Sequence, residues 1–242
     1  MKLATAIEKI EERGALLVFP IDNKKEPASI WSAFYPKSEM RWEWDDGGDH
    51  RVANLWHLRT ELSESGKVVY TKWFRGRATF FSKEVYVSVL RRLGGVAGLM
   101  RGLSDDGQTI LECLLSESPL STKELKRKIK LEGRYNEKNY ERAMKDLWMR
   151  GLIVGVGEVD DGAFPSLAIG ASEVMFEDLV RQAGTLSLEK ANGVLQKYLA
   201  GTLFLKELDK IEKKIGVSCR KPMARTISGE ELSISSKSRY NP

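Results

Sequence analysis

Cysteine and histidine are both scarce in this chain of 242 residues, which contains two of each. Cys113 and Cys219 are far apart, and Cys113 lies in an apolar helical run where burial is expected. A disulfide framework is therefore not expected, which agrees with a reducing, cytoplasmic location. His50 and His57 have no metal-ligand spacing with the cysteines, so the sequence predicts no metal site.

Long apolar runs are absent as well. No segment approaches the roughly 18 consecutive apolar residues of a membrane-spanning helix, and acidic residues occur by position 8, where a signal peptide needs an apolar core. We therefore expect no membrane partner. The chain shows no P-loop, no dinucleotide fingerprint and no Ser-His-Asp order, and we predict no cofactor.

The composition is that of a globular protein, with 42% hydrophobic and 30% charged residues. The length allows one large domain or two small ones. The formal charge of +5 and the pI of about 9.1 are compatible with a polyanionic partner. The charge is also segregated, because residues 67–92 are mainly basic and residues 39–64 are mainly acidic.

The acidic part contains the stretch MRWEWDDGGDH at 40–50. Its clustered acids next to His50 suggest a general base or a metal site in principle, but their spacing matches no ligand motif. We predict a solvated acidic loop. The acids concerned are Glu43, Asp45, Asp46 and Asp49.

The basic part contains YTKWFRGRATFFS at 70–82, two β-rich runs around a glycine, which predicts a β-hairpin. Lys72, Arg75 and Arg77 place positive charge around its tip. Because side chains alternate along a strand, the rings are not all expected to be buried, and at least one is predicted on the basic surface. The alternative is an apolar face that packs against a helix at 83–93.

Residues 105–169 predict the element order of a winged helix-turn-helix. An amphipathic helix at 105–118 is followed by Pro119 and a second helix at 120–131, with Ser121 or Thr122 as N-cap and Glu124 in a capping box. A longer helix at 137–153 would be the recognition helix. The segment at 153–169 reads as a hairpin wing with an Asp-Gly turn.

The two helices that follow Pro119 carry many basic residues. On the longer one, three of them share one face at positions i, i+4 and i+7, opposite an apolar stripe. The face is predicted to contact DNA phosphates, although a solvated face with intrahelical ion pairs or a protein-contact surface would have the same pattern. The predicted DNA-binding residues of this region are Lys123, Lys126, Arg127, Arg134, Lys138, Arg142 and Lys145.

The fold predicted from these patterns is mostly α with small β-hairpins (α+β), built from tandem winged helix-turn-helix modules and a C-terminal helical segment. Residues 171–183, 187–200 and 202–215 each predict a helix. The predicted domains are 1–98 with the basic hairpin, 103–170 as the winged helix-turn-helix, 171–216 as C-terminal helices, and 217–242 as a flexible tail.

Several pieces of the sequence resemble bacterial AlkZ-related proteins, relatives of winged-helix DNA glycosylases that excise bulky or crosslinking alkylated bases. They are KWFRGRATFFS, PLSTKELKR, YERAMKDLWMRGLIVGVGE and the Phe-Pro-Ser at 164–166. The resemblance covers roughly residues 5–215. It implies tandem winged-helix modules around a concave basic channel that holds duplex DNA.

The resemblance also implies where catalysis would take place. Glycosylase members use a Gln-apolar-Gln or Gln-apolar-Asp pair to activate a water at the glycosidic carbon. The corresponding stretch here is VFPIDNKKEPASIW, in which Asp22 matches the second member. Pro20 stands where the glutamine is expected, and proline has no side-chain amide to hold a water, so the pair is incomplete.

The sequence thus favours a duplex-DNA-binding protein that recognises damaged or distorted DNA. Three alternatives remain open: an active N-glycosylase that uses Asp22, a winged-helix transcriptional regulator, and a protein-interaction module. A regulator would be a dimer on a palindromic site, whereas a monomer is slightly favoured otherwise.

Overall fold

The computed structural model describes residues 1–42, 49–130, 134–160 and 165–216. Helices dominate these residues and form around one small sheet. The helices are α1 Leu3–Arg13, α2 Ile30–Phe34, α3 His50–Glu64, α4 Lys83–Arg92, α5 Gly95–Met100, α6 Asp105–Ser116, α7 Thr122–Lys128, α8 Arg134–Arg150, α9 Ser172–Met175, α10 Glu177–Thr185, α11 Leu188–Leu199 and α12 Leu203–Ile215. The strands are β1 Ala15–Leu17, β2 Val69–Phe74, β3 Arg77–Phe81, β4 Leu120–Ser121, β5 Ile153–Val159 and β6 Ser166–Ala171.

The strands form one six-stranded sheet in the order β1-β3-β2-β5-β6-β4, in which the paired strands are antiparallel. The β2–β3 and β5–β6 hairpins join where Tyr70 lies opposite Gly155. A Cβ atom at position 155 would overlap the Tyr70 ring, so only glycine permits this approach. A mostly helical chain with a small antiparallel sheet confirms the predicted α+β class.

The predicted hairpin at 70–82 is confirmed. Phe74 pairs with Arg77, and the two residues between them, Arg75 and Gly76, have φ of 53° and 78°. Positive φ at both central positions is what a two-residue type I′ turn requires, because its twist matches that of the strands. The turn places Arg75 at the outermost point of the hairpin.

The prediction that at least one ring of this hairpin lies on the surface is wrong. Tyr70 and Phe80 belong to a buried cluster with α1 and α3, whereas Trp73, Phe74 and Phe81 belong to the cluster on the other face. All five are at most 1% exposed. The alternation of side chains along the strands did place the rings on two faces of the hairpin, but helices cover both faces. In addition, an irregularity between Thr71 and Phe74 shifts the pairing register of β2 and β3.

The predicted capping box before α7 is confirmed. The Ser121 hydroxyl accepts from the Glu124 backbone N–H at 3.1 Å, and the Glu124 carboxylate accepts from the Ser121 N–H at 3.2 Å. This reciprocal pair satisfies donors that the first turn of a helix leaves free. The helices α6, α7 and α8 and the β5–β6 hairpin occur in the predicted order, and the predicted Asp161-Gly162 turn lies outside the described residues.

The predicted apolar stripe of the long helix is also confirmed. It consists of Tyr140, Ala143, Met144 and Leu147, which are all buried. Cys113, which was expected to be buried, is only half-buried and packs at the margin of the larger cluster.

The C-terminal helices cover one side of the sheet and contact α4. The helix predicted at 171–183 is instead two helices, α9 and α10, because Phe176 has non-helical backbone angles of −140° and 51°. The helix α12 is attached to α4 by Arg92, which donates to Asp209 at 2.6 Å and to Glu212 at 3.0 Å. Residues 217–242, the predicted tail, lie outside the described residues, and the predicted domain boundaries stay a prediction.

Among the residues that the structure describes, no helix combines the length and the apolar character that a bilayer crossing requires.

Candidate nucleic-acid interface

A groove of about 480 Å³ lies between the tip of the β2–β3 hairpin and the helices α7 and α8. Five of the predicted DNA-binding residues line it, although they come from parts of the chain about 50 to 70 residues apart. They are Lys72 and Arg75 from the hairpin and Lys123, Lys126 and Lys145 from the helices. The tertiary structure therefore combines two basic regions that the sequence presented separately.

Arg75 is held at the groove edge by α12. Its Nε donates to the Glu207 carboxylate at 3.1 Å, while its guanidinium lies 5.1 Å from the centre of the Phe74 ring. About half of the Arg75 side chain remains exposed. The ion pair orients the guanidinium without burying it, so a phosphate can approach from the solvent side.

Lys126 occupies the opposite wall. Its Nζ donates to Glu137 at 2.6 Å and lies 4.7 Å from the centre of the Tyr140 ring. Glu137 and Glu141 also line the groove, so its positive charge is partly offset. Lys123 and Lys145 are exposed beside this pair. The groove thus has basic side chains on two walls, within reach of one extended polyanion.

Lys72 lies in the middle of β2, where its side chain is half-buried. Burial lowers the pKa of its ammonium group, and the nearby Arg59 guanidinium lowers that pKa further. Both effects disfavour the charged form. Arg59 in turn forms an ion pair with Glu158 on β5.

The remaining predicted DNA-binding residues do not line the described part of this groove. Arg77, Arg127, Lys138 and Arg142 are exposed elsewhere on the hairpin, α7 and α8. The Arg134 backbone begins α8, but its side chain lies outside the described residues.

Asp22 lies in the turn after β1 and not among the residues that line the groove in the described structure. It and Asn23 have φ of 50° and 53°, a conformation that Asp and Asn tolerate better than most residues. The Asp22 side chain is 72% exposed, and its carboxylate lies 3.5 Å from the Lys24 ammonium. It is therefore a solvated carboxylate with a cationic neighbour.

The described end of the acidic stretch has a structural role. Asp49 caps α3, where it accepts from the Arg51 backbone N–H at 2.9 Å and pairs with the Arg51 guanidinium at 2.7 Å. The hydrogen bond from the Arg51 side chain holds the pKa of Asp49 below its ordinary value. His50 is the first residue of α3, and Glu43, Asp45 and Asp46 lie outside the described residues. Within the part described, no three potential ligands form a metal site.

Sequence reasoning missed an exposed aromatic patch, which consists of Phe19, Trp42 and Trp56. Trp42 and Trp56 are 48% and 43% exposed, and both rings lie near Phe19, with centroids 4.8 Å and 6.5 Å away. Leu55, Leu58 and Leu62 form the buried stripe of α3, and Trp56 lies outside it. This helical spacing could have predicted that the Trp56 ring is exposed.

The aromatic patch is built by tertiary contacts. Asn23 donates to the Met40 carbonyl at 3.0 Å and accepts from the Met40 N–H at 2.8 Å, which brings Trp42 beside Phe19. The Arg59 guanidinium lies 4.1 Å from the Trp56 ring and also acts on Lys72 of the groove. Arg59 therefore contacts Trp56 of the patch and lies within electrostatic range of Lys72 of the groove.

A family model described as AlkZ related matches residues 2–216. No curated protein and no solved structure matches the chain.

Proposed function

The chain belongs to the AlkZ-related family, and on that premise we propose that it is a winged-helix protein that binds duplex DNA. The family indicates a DNA glycosylase-like or DNA-binding function. The observation that carries the proposal is the convergence of five basic side chains from the β2–β3 hairpin, α7 and α8 on one groove.

The winged-helix assignment rests on element order. The helices α6, α7 and α8 precede the β5–β6 hairpin, which corresponds to three helices followed by a wing. In this assignment α8 is the recognition helix, and the β2–β3 hairpin belongs to a first module in tandem. The shared sheet then holds the two hairpins in a defined relation, because β2 pairs directly with β5.

Electrostatic attraction to phosphates supplies most of the affinity in this proposal. A cation that neutralises a phosphate releases condensed counterions, so the affinity falls as salt rises. Five such contacts predict a loss of at least roughly 100-fold between about 50 and about 200 mM salt. If the ion pairs of Arg75 and Lys126 persist in the complex, fewer counterions are released and the loss of affinity with salt is smaller.

Fluorescence anisotropy of a labelled plain duplex over several salt concentrations tests the function. We expect saturable binding at low salt that weakens steeply as salt increases. An unlabelled duplex should compete with the labelled one. Absence of binding at low salt would contradict the proposal and would favour a protein-interaction module.

Distorted DNA is the preferred target in our proposal because Arg59, which contacts the exposed ring of Trp56, lies within electrostatic range of Lys72 in the groove. Stacking of an unpaired base on an aromatic ring contributes about 1–3 kcal/mol. We expect tighter binding to a duplex with one unpaired base, and in Trp56→Ala a roughly tenfold loss of that preference. Val174→Ala, which shortens an exposed apolar side chain on α9, is the matched control. Equal affinity of the native protein for both duplexes would contradict this target.

Base excision is the second candidate, favoured by the family and by the position of Asp22 in the same loop as Phe19 of the aromatic patch. A carboxylate there would stabilise an oxocarbenium-like sugar or act as a base. We expect Asp22→Asn to reduce release of an alkylated base from a duplex by at least roughly 100-fold. Release is measured on a denaturing gel after alkali. An unchanged rate in Asp22→Asn would eliminate this residue as the catalytic group.

A further inference from the structure

Lys72 is half-buried in the groove and has no carboxylate partner in the described structure. Arg75 has Glu207 and Lys126 has Glu137 within ion-pair distance, whereas no carboxylate among the described residues lies within 4.0 Å of the Lys72 ammonium. Lys72 is also half-buried between the buried residues Thr71 and Trp73 of β2. A lysine that only bound phosphate would be better placed at the surface, where its charge is fully solvated.

The surroundings of Lys72 disfavour the charged form of its amine in comparison with an exposed lysine. Burial lowers the pKa of its ammonium group, and the Arg59 guanidinium adds a repulsive positive charge. Glu158 partly neutralises Arg59, with which it pairs. A lysine that is desolvated beside another cation is a recognised arrangement for an amine that attacks carbonyl carbon.

Intact DNA offers such an amine no aldehyde. A sugar that has lost its base does, because its ring opens to an aldehyde at C1′. The side chain of Lys72 lines the groove in which we place the DNA, so an abasic sugar in that groove is the electrophile within its reach.

We propose that Lys72 is the nucleophile of an abasic-site lyase reaction in this groove, which rests on the DNA binding proposed above. The neutral form of the Lys72 amine attacks C1′ of the open sugar, and the carbinolamine takes up a proton from the solvent and loses water to form a protonated imine. Solvent water takes the proton that leaves C2′, and the protonated imine accepts the electron pair of the broken C–H bond. That pair forms the C2′–C3′ double bond, and the C3′–O bond breaks with departure of the 3′ phosphate.

The reaction balances without an oxidant or a reductant. Water hydrolyses the imine, which restores the Lys72 amine and leaves an unsaturated aldehyde on the 3′ end of the broken strand. The other groove cations have a complementary role, since Arg75, Lys123 and Lys145 line the same groove and stabilise the departing phosphate dianion. The reaction requires only the chain, the DNA and water.

Borohydride trapping tests the proposal directly, because it reduces the imine to a stable covalent adduct. The native protein is incubated at saturating concentration with a labelled duplex that has one abasic site, and the adduct is mapped by peptide mass spectrometry. We expect one adduct, at Lys72. Without borohydride, we expect strand cleavage at the abasic site.

Two substitutions remove the amine in different ways. Lys72→Arg retains the charge and Lys72→Met retains the length with an apolar side chain that suits a half-buried position. In both variants we expect the adduct yield and the cleavage rate to fall by at least roughly 100-fold. Lys128→Arg is the control, since Lys128 is exposed on α7, lies 2.9 Å from Glu117 and does not line the groove. Circular dichroism and each variant's affinity for plain duplex are measured alongside, so that adduct yields are compared at equal occupancy.

The outcomes separate the two proposals. An adduct that persists in both Lys72 variants, or that maps to several exposed lysines, overturns the assignment. No adduct and no cleavage by a protein that still binds plain duplex overturns the lyase and leaves DNA binding intact. No binding to plain or abasic duplex overturns both.

Discussion

Replacing both Lys123 and Lys145 with glutamate is expected to lower the affinity for plain duplex DNA by roughly 100-fold at moderate salt. Both side chains are exposed and line the groove from α7 and α8. Each substitution removes one phosphate contact and introduces a repulsive charge, and loss of two contacts reduces the slope of log affinity against log salt by about 2. Anisotropy titrations at several salt concentrations measure both quantities.

The matched control changes the same charge elsewhere. Lys190 and Lys197 are exposed on α11 and do not line the groove, so the double variant Lys190→Glu/Lys197→Glu has the same net charge as the groove variant. If binding depended only on the general attraction between a basic protein and DNA, both double variants would lose the same affinity for the duplex. Equal weakening would therefore refute the groove as the binding surface.

Truncation of Phe74 to alanine is expected to lower the free energy of unfolding by about 3–5 kcal/mol. Phe74 is fully buried at the end of β2, and its ring lies 5.2 Å, centre to centre, from the Phe204 ring of α12 in an edge-on arrangement. The substitution removes that contact and leaves a cavity between the hairpin and the C-terminal helices. Urea denaturation followed by circular dichroism measures the change.

Phe74→Leu is the comparison, because it retains most of the apolar volume and should cost less than half as much, roughly 1–2 kcal/mol. A loss below about 1 kcal/mol for Phe74→Ala would mean that the hairpin rings contribute little to the core. The expected result would instead establish that the aromatic residues at 70–81 stabilise the fold, while the basic residues between them are available for a partner.

The positions of individual elements were largely predictable. The capping box of Ser121 and Glu124, the apolar stripe that includes Tyr140 and Leu147, and the turn at Arg75-Gly76 each depend on residues within a few positions of one another. Such signals are visible in sequence because helix and turn geometry brings nearby residues together. The split at Phe176 was missed because the local pattern on both sides of it is helical.

The candidate site was predictable only in part. The basic residue types of the hairpin and of the helices after Pro119 were recognised, but not their meeting in one groove. The aromatic patch was missed because it depends on the hydrogen bonds between Asn23 and Met40. The half-burial of Lys72 could not be predicted either, because the sequence pattern of a lysine in a strand with aromatic neighbours predicts an exposed charge.

By itself the sequence determined the α+β class, the order of α6, α7, α8 and the β5–β6 hairpin, the segregation of charge and the resemblance to AlkZ-related proteins. Only the tertiary structure decided which faces of the β2–β3 hairpin are covered, and therefore that all five rings are buried. It also decided which cations share a groove, through the pairing of Tyr70 with Gly155 across one sheet. The physical reason is the separation along the chain of the residues that interact. Capping, turns and helical periodicity involve residues a few positions apart, whereas the burial of the rings and the meeting of the cations depend on contacts between distant segments.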